Sequence, residues 1–187
     1  RMEDGSIQSV GIAMAMQGSG ISGVDVGSAG MKLGEDGLYT LSIGAADMGT
    51  GCDTILAQIA AEVLQCPYDH IMVLAADTDA SPYDAGSYAS STTFVTGKAV
   101  EKAAMQVVDN ILANAAVWMG ITDIAEKEAL LYEGDRVYSP VSGKEISLAE
   151  IAAKSMAMPH HTIEATVSNC SPTSPPPFMT GIVEIEV

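Results

Sequence analysis

Two stretches of this sequence gather the residue types that bind anions. The first, Asp47-Met-Gly-Thr-Gly51, stands just before one helical spacing; the second, Gly86-Ser-Tyr-Ala-Ser-Ser-Thr-Thr93, stands just before another. The N–H groups at a helix start carry partial positive charge, glycine lets backbone approach a ligand closely, and serine or threonine hydroxyls add donors with little bulk. Two such junctions together suit a phosphorylated ligand, although each alone also does no more than start a helix. Neither matches a known nucleotide fingerprint: there is no Gly-Lys-Ser/Thr and no Gly-x-Gly-x-x-Gly followed by an acidic residue.

Other chemistry-bearing residues are weaker candidates. His160 and His161 are adjacent, so in a strand they point to opposite faces, and no acidic or thiol residue is spaced to join them on a metal. Asp77 and Asp79 lack the spacing and terminal glutamate of a calcium loop and read as turn residues. Cys52, at a helix start, is expected to have a lowered pKa, but no histidine is spaced to make it a nucleophile. No Ser-His-Asp arrangement of a hydrolase is recognisable. Glu184 and Glu186 alternate with Ile185 and read as solvent-facing strand positions.

The elements that must position the two loops follow from periodicity. Val10 to Gln17 and Ser22 to Leu33 are apolar runs punctuated by glycine, which predicts strands, and Glu35-Asp36-Gly37 turns the second into a return strand from Leu38 to Gly44. Ile55, Ile59, Ala60, Val63 and Leu64 define helix one, from about Cys52 to Gln65, stopped by Pro67. Ile71 to Ala76 reads as a buried strand. Val100, Ala104, Val107, Val108, Ile111, Leu112 and Ala115 define helix two, running to Gly120. Beyond it, Ala129 to Tyr132 and Arg136 to Tyr138 predict a small hairpin, Ser147 caps a short helix through Ser155, and Thr162 to Val167 returns to strand. Ser171 to Pro177 is read as an extended connector between two strands.

The fold class expected is α+β, with mixed, largely antiparallel sheets packed against two main helices, in a single domain over 1–187 with 121–160 as a candidate small lobe. With 48% hydrophobic residues, 187 residues suffice for a buried core, and 11 Met against 2 Phe and 1 Trp point to close packing of small pieces. Eight basic against 24 acidic residues give a formal charge of −16, which disfavours nucleic acid and anionic membranes as partners. No apolar run reaches the roughly 18 residues of a membrane span, and a cytoplasmic location is expected. The three cysteines form no disulfide framework: on one helix Cys52 and Cys66 would lie about 21 Å apart, so free thiols are expected. Both ends of the chain read as cuts, the expectation for a piece of a longer polypeptide.

The wording of the loops narrows the reading. Asp47-Met-Gly-Thr-Gly-Cys-Asp-Thr54, then Gln58-Ile-Ala-Ala-Glu62, Asp77-Thr78, Ala89-Ser-Ser-Thr-Thr93 and Gly97-Lys-Ala-Val100, resembles in order and separation the molybdopterin-binding domain of the xanthine dehydrogenase and aldehyde oxidase family. The resemblance extends over most of the chain, with Gly18-Ser-Gly20 and Phe178 to Val187 as flanking strands. It implies a molybdenum hydroxylase that oxidises a purine, another N-heterocycle or an aldehyde, with water as the oxygen source. The implied cofactor is molybdenum-molybdopterin, as mononucleotide or dinucleotide, with iron–sulfur clusters and FAD in partner domains or subunits.

The implied cofactor-binding residues are Gly49, Thr50, Gly51, Cys52, Asp53 and Thr54 in the first loop and Ala89, Ser90, Ser91, Thr92 and Thr93 in the second. Two departures stand out: many family members have Gln where this chain has Thr50, and Arg where it has Ser91. A hydroxyl reaches less far than a Gln amide, and Ser at 91 removes a strong phosphate ligand. The family's glutamate base belongs to a segment beyond Val187, so no catalytic residue and no protein metal ligand is assigned here, and the isolated chain is expected to be inactive. The remaining segments of the molybdenum subunit, and the small-molecule substrate they help to bind, are then its partners. The competing expectation is a non-catalytic interaction domain whose Gly- and Ser-rich loops only start helices.

Overall fold

A computed structural model of the chain describes residues 5–157 and 162–187; the His160-His161 pair lies outside the described residues. The first strand, β1 (Gln8–Met16), does not join the main sheet. That sheet begins with β2 (Val26–Leu33) and β3 (Tyr39–Ile43), the expected hairpin, closed by Leu33 opposite Tyr39. Asp36 makes the turn by accepting from the Leu38 N–H at 3.0 Å. The first helix, α1 (Cys52–Leu64), then carries the chain across the sheet, so that β4 (Ile71–Ala75) lies parallel to β3.

Helix α1 ends as expected, with Gln65 in the left-handed region at φ 49° and Pro67 just beyond. Helix α2 (Gly97–Trp118) buries Val100, Ala103, Ala104, Val107, Ile111 and Ala115 on one stripe. The alanines on that stripe let α2 pack closely on α1 and on the inner face of the sheet, formed by Ala29, Met31, Leu33, Tyr39, Leu41 and Ile43.

The chain continues through α3 (Ile124–Glu128), β5 (Leu131–Tyr132), β6 (Arg136–Tyr138), β7 (Glu145–Ser147) and α4 (Leu148–Met156). The apolar side of this stretch (Ile121, Leu130, Val137, Ile146, Ile151) belongs to the same core cluster as the sheet. Two buried phenols tie β5 to β3 and α1: Tyr39 Oη lies 3.0 Å from Tyr132 Oη, which donates to the Leu64 carbonyl at 2.8 Å. The main sheet is completed by β8 (Glu164–Cys170), antiparallel to β2, giving the order β4-β3-β2-β8. The Ser171 to Pro177 connector then leads into β9 (Phe178–Glu186), which pairs antiparallel with β1 as a separate two-stranded ribbon.

The architecture matches the expected α+β class, with local differences. The strand expected from Ser22 begins only at Val26, because Asp25 folds back and its Oδ2 accepts the Ile21 N–H at 2.7 Å. The strand expected at Ala129 shortens to Leu131–Tyr132, because α3 occupies the preceding residues and Ala129 closes it by donating to the Ala125 carbonyl at 3.2 Å. Ser147 caps α4 as expected, accepting from the Glu150 N–H at 3.2 Å. Among the described residues, no helix is long and apolar enough to cross a membrane.

Candidate functional site

The first loop is tied together by its own carboxylate. Asp47 Oδ1 accepts from the N–H groups of Gly49 at 2.8 Å and Gly51 at 3.1 Å. Both glycines sit at positive φ, 102° and 75°, which other residues adopt only with strain. These contacts, Gly49 first and Gly51 next, hold the Asp47 carboxyl below the ordinary carboxylate range. Two amides expected to face an anionic ligand therefore face Asp47 instead.

Cys52, at the first turn of α1, overturns the expectation of a low thiol pKa. Burial, then the nearby Asp53 and Asp47 carboxylates, push it up to about 11, outweighing the helix start. Its Sγ points to Asp53 Oδ1 at 3.6 Å, and ligand atoms of Asp47, Cys52 and Asp53 lie within 4.8 Å of one another. Hydrogen bonding around a helix start accounts for this grouping. Cys52, Cys66 and Cys170 are all free.

The second loop is built from polar links that fix each turn in sequence. Asp84 accepts from the Gly86 N–H at 2.9 Å and from the Thr96 hydroxyl at 2.7 Å, spanning the loop from both sides. Ser91 is buried, and its hydroxyl donates inward to the Gly86 carbonyl at 3.1 Å. Ala89 and Ser90 both adopt left-handed backbone, φ 51° and 58°, at a cost of about 1 kcal/mol or more each. They are held from outside: the Gly20 N–H donates to the Ala89 carbonyl at 2.8 Å, and Gln17 Nε2 donates to Ser90 Oγ at 3.0 Å.

Thr92–Thr96 then form a single wide π-type turn before α2 proper. Its position depends on Gly27 of β2, where an added Cβ would fall 2.6 Å from Thr96 Cα and 2.8 Å from Thr96 N. Asn169 of β8, itself bound by Lys102 at 2.7 Å, donates to the Val95 carbonyl at 3.1 Å and holds the turn from the other side.

These supports bring the two loops, some forty residues apart in sequence, onto one cavity of about 300 Å³ lined by Thr50, Cys52, Ile55, Ser87, Ser90, Thr92 and Thr93. Of the candidate residues, Thr50, Cys52, Ser90, Thr92 and Thr93 line it. Gly49, Gly51, Asp53, Thr54 and Ala89 shape the surrounding backbone, and Ser91 turns away. Ser87 lies in the second anion-binding stretch but outside the residues that the resemblance assigns to the cofactor, Ile55 is read from sequence only as part of the helix stripe, and the supports Gln17, Gly27 and Asp84 were missed. Asp84-x-Gly86 carries a turn signature; for Gln17 and Gly27 the sequence holds no signal, since their partners are more than sixty residues away.

Five lining side chains carry hydroxyls, so the cavity can donate to and accept from a polar ligand, while Ile55 offers an apolar ledge. No lining residue is basic, so an anion would be held here by hydroxyls and the helix start. The volume is at the lower end of small-molecule sites, enough for a ring or a phosphate group but not for a whole dinucleotide.

Comparison with known proteins converges on one family. The sequence profile of the Molybdopterin cofactor-binding domain matches residues 2–187. The chain is 42% identical over 110 residues, 59% of its length, to the protein named "Probable hypoxanthine oxidase XdhD" of Escherichia coli K12. It is 30% identical over 173 residues, 88% of its length, to the xanthine dehydrogenase molybdenum-binding subunit of Escherichia coli O157:H7. Among solved structures, the CO dehydrogenase of Oligotropha carboxidovorans superposes with a TM-score of 0.82 at 25% identity, covering 97% of this chain and 24% of that one. The matches take in only 12% and 22% of the two relatives' own lengths.

Proposed function

The chain belongs to the molybdopterin cofactor-binding domain family, and from that premise we propose that it forms one wall of the cofactor site in the large subunit of a molybdenum hydroxylase. The observation that carries the reading is the meeting of the two loops on one hydroxyl-lined cavity. An interaction domain whose loops merely start helices leaves unexplained why Ala89 and Ser90 are held in left-handed backbone beside that cavity.

The donor set fits a pterin with a phosphate arm, and the charges orient it. Asp47, ionised well into the acid range, and Asp53 stand beside the first loop and repel a second anion there. Ser90, Thr92 and Thr93 would therefore hold the phosphate end through their hydroxyls, and Thr50, Cys52 and Ile55 would take the neutral heterocycle. Gly49, Gly51, Asp53 and Thr54 set the backbone of one side, and Ala89 and Ser91 that of the other. The neutral Cys52 thiol serves as a small packing surface and weak donor.

When bound, the cofactor supplies hydroxylation of a carbon beside nitrogen or oxygen, with water as oxygen source, in a purine, another N-heterocycle or an aldehyde. Partner domains or subunits carrying iron–sulfur clusters and FAD would receive the electrons. The cavity holds no carboxylate or imidazole to act as base, so we expect the chain by itself to be inactive and its parent to work in the cytoplasm, in keeping with three free thiols.

The test is molybdenum and pterin analysis of the parent subunit purified from its source, alongside the nearly isosteric double variant Thr92→Val and Thr93→Val. Hydrogen bonds to a charged group contribute about 1.5–3 kcal/mol each, so the variant should retain at most about a tenth of wild-type cofactor under limiting supply. Stoichiometric pterin in the double variant, or none in the wild type, overturns the reading.

A further inference from the structure

The ribbon of β1 and β9 is the least self-sufficient part of the molecule. Every residue of both strands is exposed. Pairing continues beyond the strands, from Ile7 with Val187 to Gln17 with Pro177, a length of about 36 Å. The register places Val10, Ile12, Met14, Met16, Phe178 and Ile182 on one face and Ala13, Ala15, Met179, Val183 and Ile185 on the other. Met14 is 74% exposed, Ile12 69% and Ile182 67%. An isolated two-stranded ribbon is at best marginal in water, and this one exposes large apolar side chains on both faces, interrupted on the first face by Thr180 and, toward the end away from the loops, by Glu184 and Glu186.

The edges are equally open. Ile7 and Val187 exchange both backbone hydrogen bonds, so by antiparallel alternation the pairs Val10–Glu184, Ile12–Ile182 and Met14–Thr180 direct their N–H and C=O groups outward. The base of the ribbon is by contrast anchored, and anchored at the candidate site: Gln17 and Gly20 hold Ser90 and Ala89, and Ser174 Oγ donates to the Gly20 carbonyl at 2.7 Å.

We propose that this ribbon is an arm buried on both faces by the remainder of the parent molybdenum subunit, and that its docking fixes the Ser87 to Thr93 loop through Gln17 and Gly20. This rests on the chain being part of a longer cofactor-binding subunit, as its 22% share of a relative matched along most of its length supports. A second copy does not fit as occupant. Two-fold pairing covers the same face of each ribbon and leaves the opposite apolar face in water, and a formal charge of −16 per chain opposes self-association. The occupant must supply two layers, as further segments of the same polypeptide can.

Hydrogen exchange followed by mass spectrometry, on the intact parent subunit and on the 187-residue chain, tests this. The outward amides of Val10, Ile12, Met14, Thr180 and Ile182 should exchange at least about 100-fold more slowly in the intact subunit. Equal rates overturn the proposal, as does slow exchange in the short chain that rises with concentration alongside a sedimenting dimer. Ile12→Lys and Val183→Lys, one on each face, should each restore fast exchange to the ribbon of the intact subunit while Leu41 and Val107 stay protected. A response to only one of them rules out two-sided burial. Molybdenum content of the same preparation separates the two readings: a loaded subunit with an unprotected ribbon refutes the docking alone, and a protected ribbon without molybdenum refutes the cofactor reading alone.

Discussion

Gly27→Ala tests whether the site depends on the close approach of β2 to the π-type turn. The added Cβ would lie 2.6 Å from Thr96 Cα and 2.8 Å from Thr96 N, where ordinary contact begins at 3.4 Å. Both neighbours are backbone, so no side-chain rotation relieves the contact, and strand and turn must separate by about 0.6–0.8 Å. Overpacking of this kind costs about 1–3 kcal/mol. At about 2 kcal/mol, and a urea dependence of about 2 kcal/mol per molar, the unfolding midpoint of the chain should fall by about 1 M. Thr92 and Thr93 ride on the same turn, so cofactor content of the parent subunit should fall as well. The control is Gly30→Ala on the same strand, whose Cβ meets nothing nearer than Thr166 Oγ1 at 3.6 Å, and which should stay within about 0.5 kcal/mol of wild type. If both variants unfold at the same urea concentration and the parent loads normally with Gly27→Ala, the turn is not positioned by Gly27.

Two further outcomes follow from buried groups. Tyr132→Phe should cost about 2–3 kcal/mol, because it strands the buried Tyr39 hydroxyl and the Leu64 carbonyl together, whereas Tyr39→Phe should cost about 1 kcal/mol; urea unfolding of the two variants decides, and the reverse order refutes the assigned hydrogen-bond direction. Burial pushes Tyr132 up to about 12 from an ordinary 10 and Tyr39 higher still. Their raised values favour the folded state fully below pH 10, and that stabilisation is lost as the pH climbs through 12, so tyrosinate absorbance from this pair should appear only with alkaline unfolding. Iodoacetamide at pH 8 should label exposed Cys170 well before Cys52, whose thiol stays protonated; labelling of Cys52 first refutes the account of its environment.

What the sequence discloses and conceals divides along contact range. The buried stripe of helix α1 is Leu56, Ala57, Ala60, Ala61 and Leu64, so of the five residues expected there only Ala60 and Leu64 are buried, while Ile55, Ile59 and Val63 stand at its margin. The extent of the helix was legible because the Asp47 to Gly51 turn before it and Pro67 after it are local. The β2–β3 hairpin was legible for the same reason, with Glu35-Asp36-Gly37 between alternating residues. Helix α3 was legible in principle, since Asp123 accepts from the Glu126 N–H at 3.0 Å in a capping pattern written in four residues, but the apolar residues after it drew the reading toward a strand. The pairing of β1 with β9 joins residues about 170 apart, and nothing local in either strand names its partner.

The site obeys the same division, and that decides how its residues should be ranked. Hydroxyls and glycines announce the two loops, yet side-chain direction is set from a distance. Asp84 and Thr96 fix the ends of the second loop, Gln17 and Gly20 hold its left-handed corner, and Gly27 sets its height above the sheet. Ser91 and Ser90 are adjacent and chemically alike, but the first is turned into the fold by Gly86 while the second faces the cavity. The residues that make Ser90, Thr92 and Thr93 available to a ligand are therefore ones with no ligand chemistry of their own. Substitution at Gly27 or Gln17 should then remove cofactor from the subunit while leaving every hydroxyl of the site in the sequence.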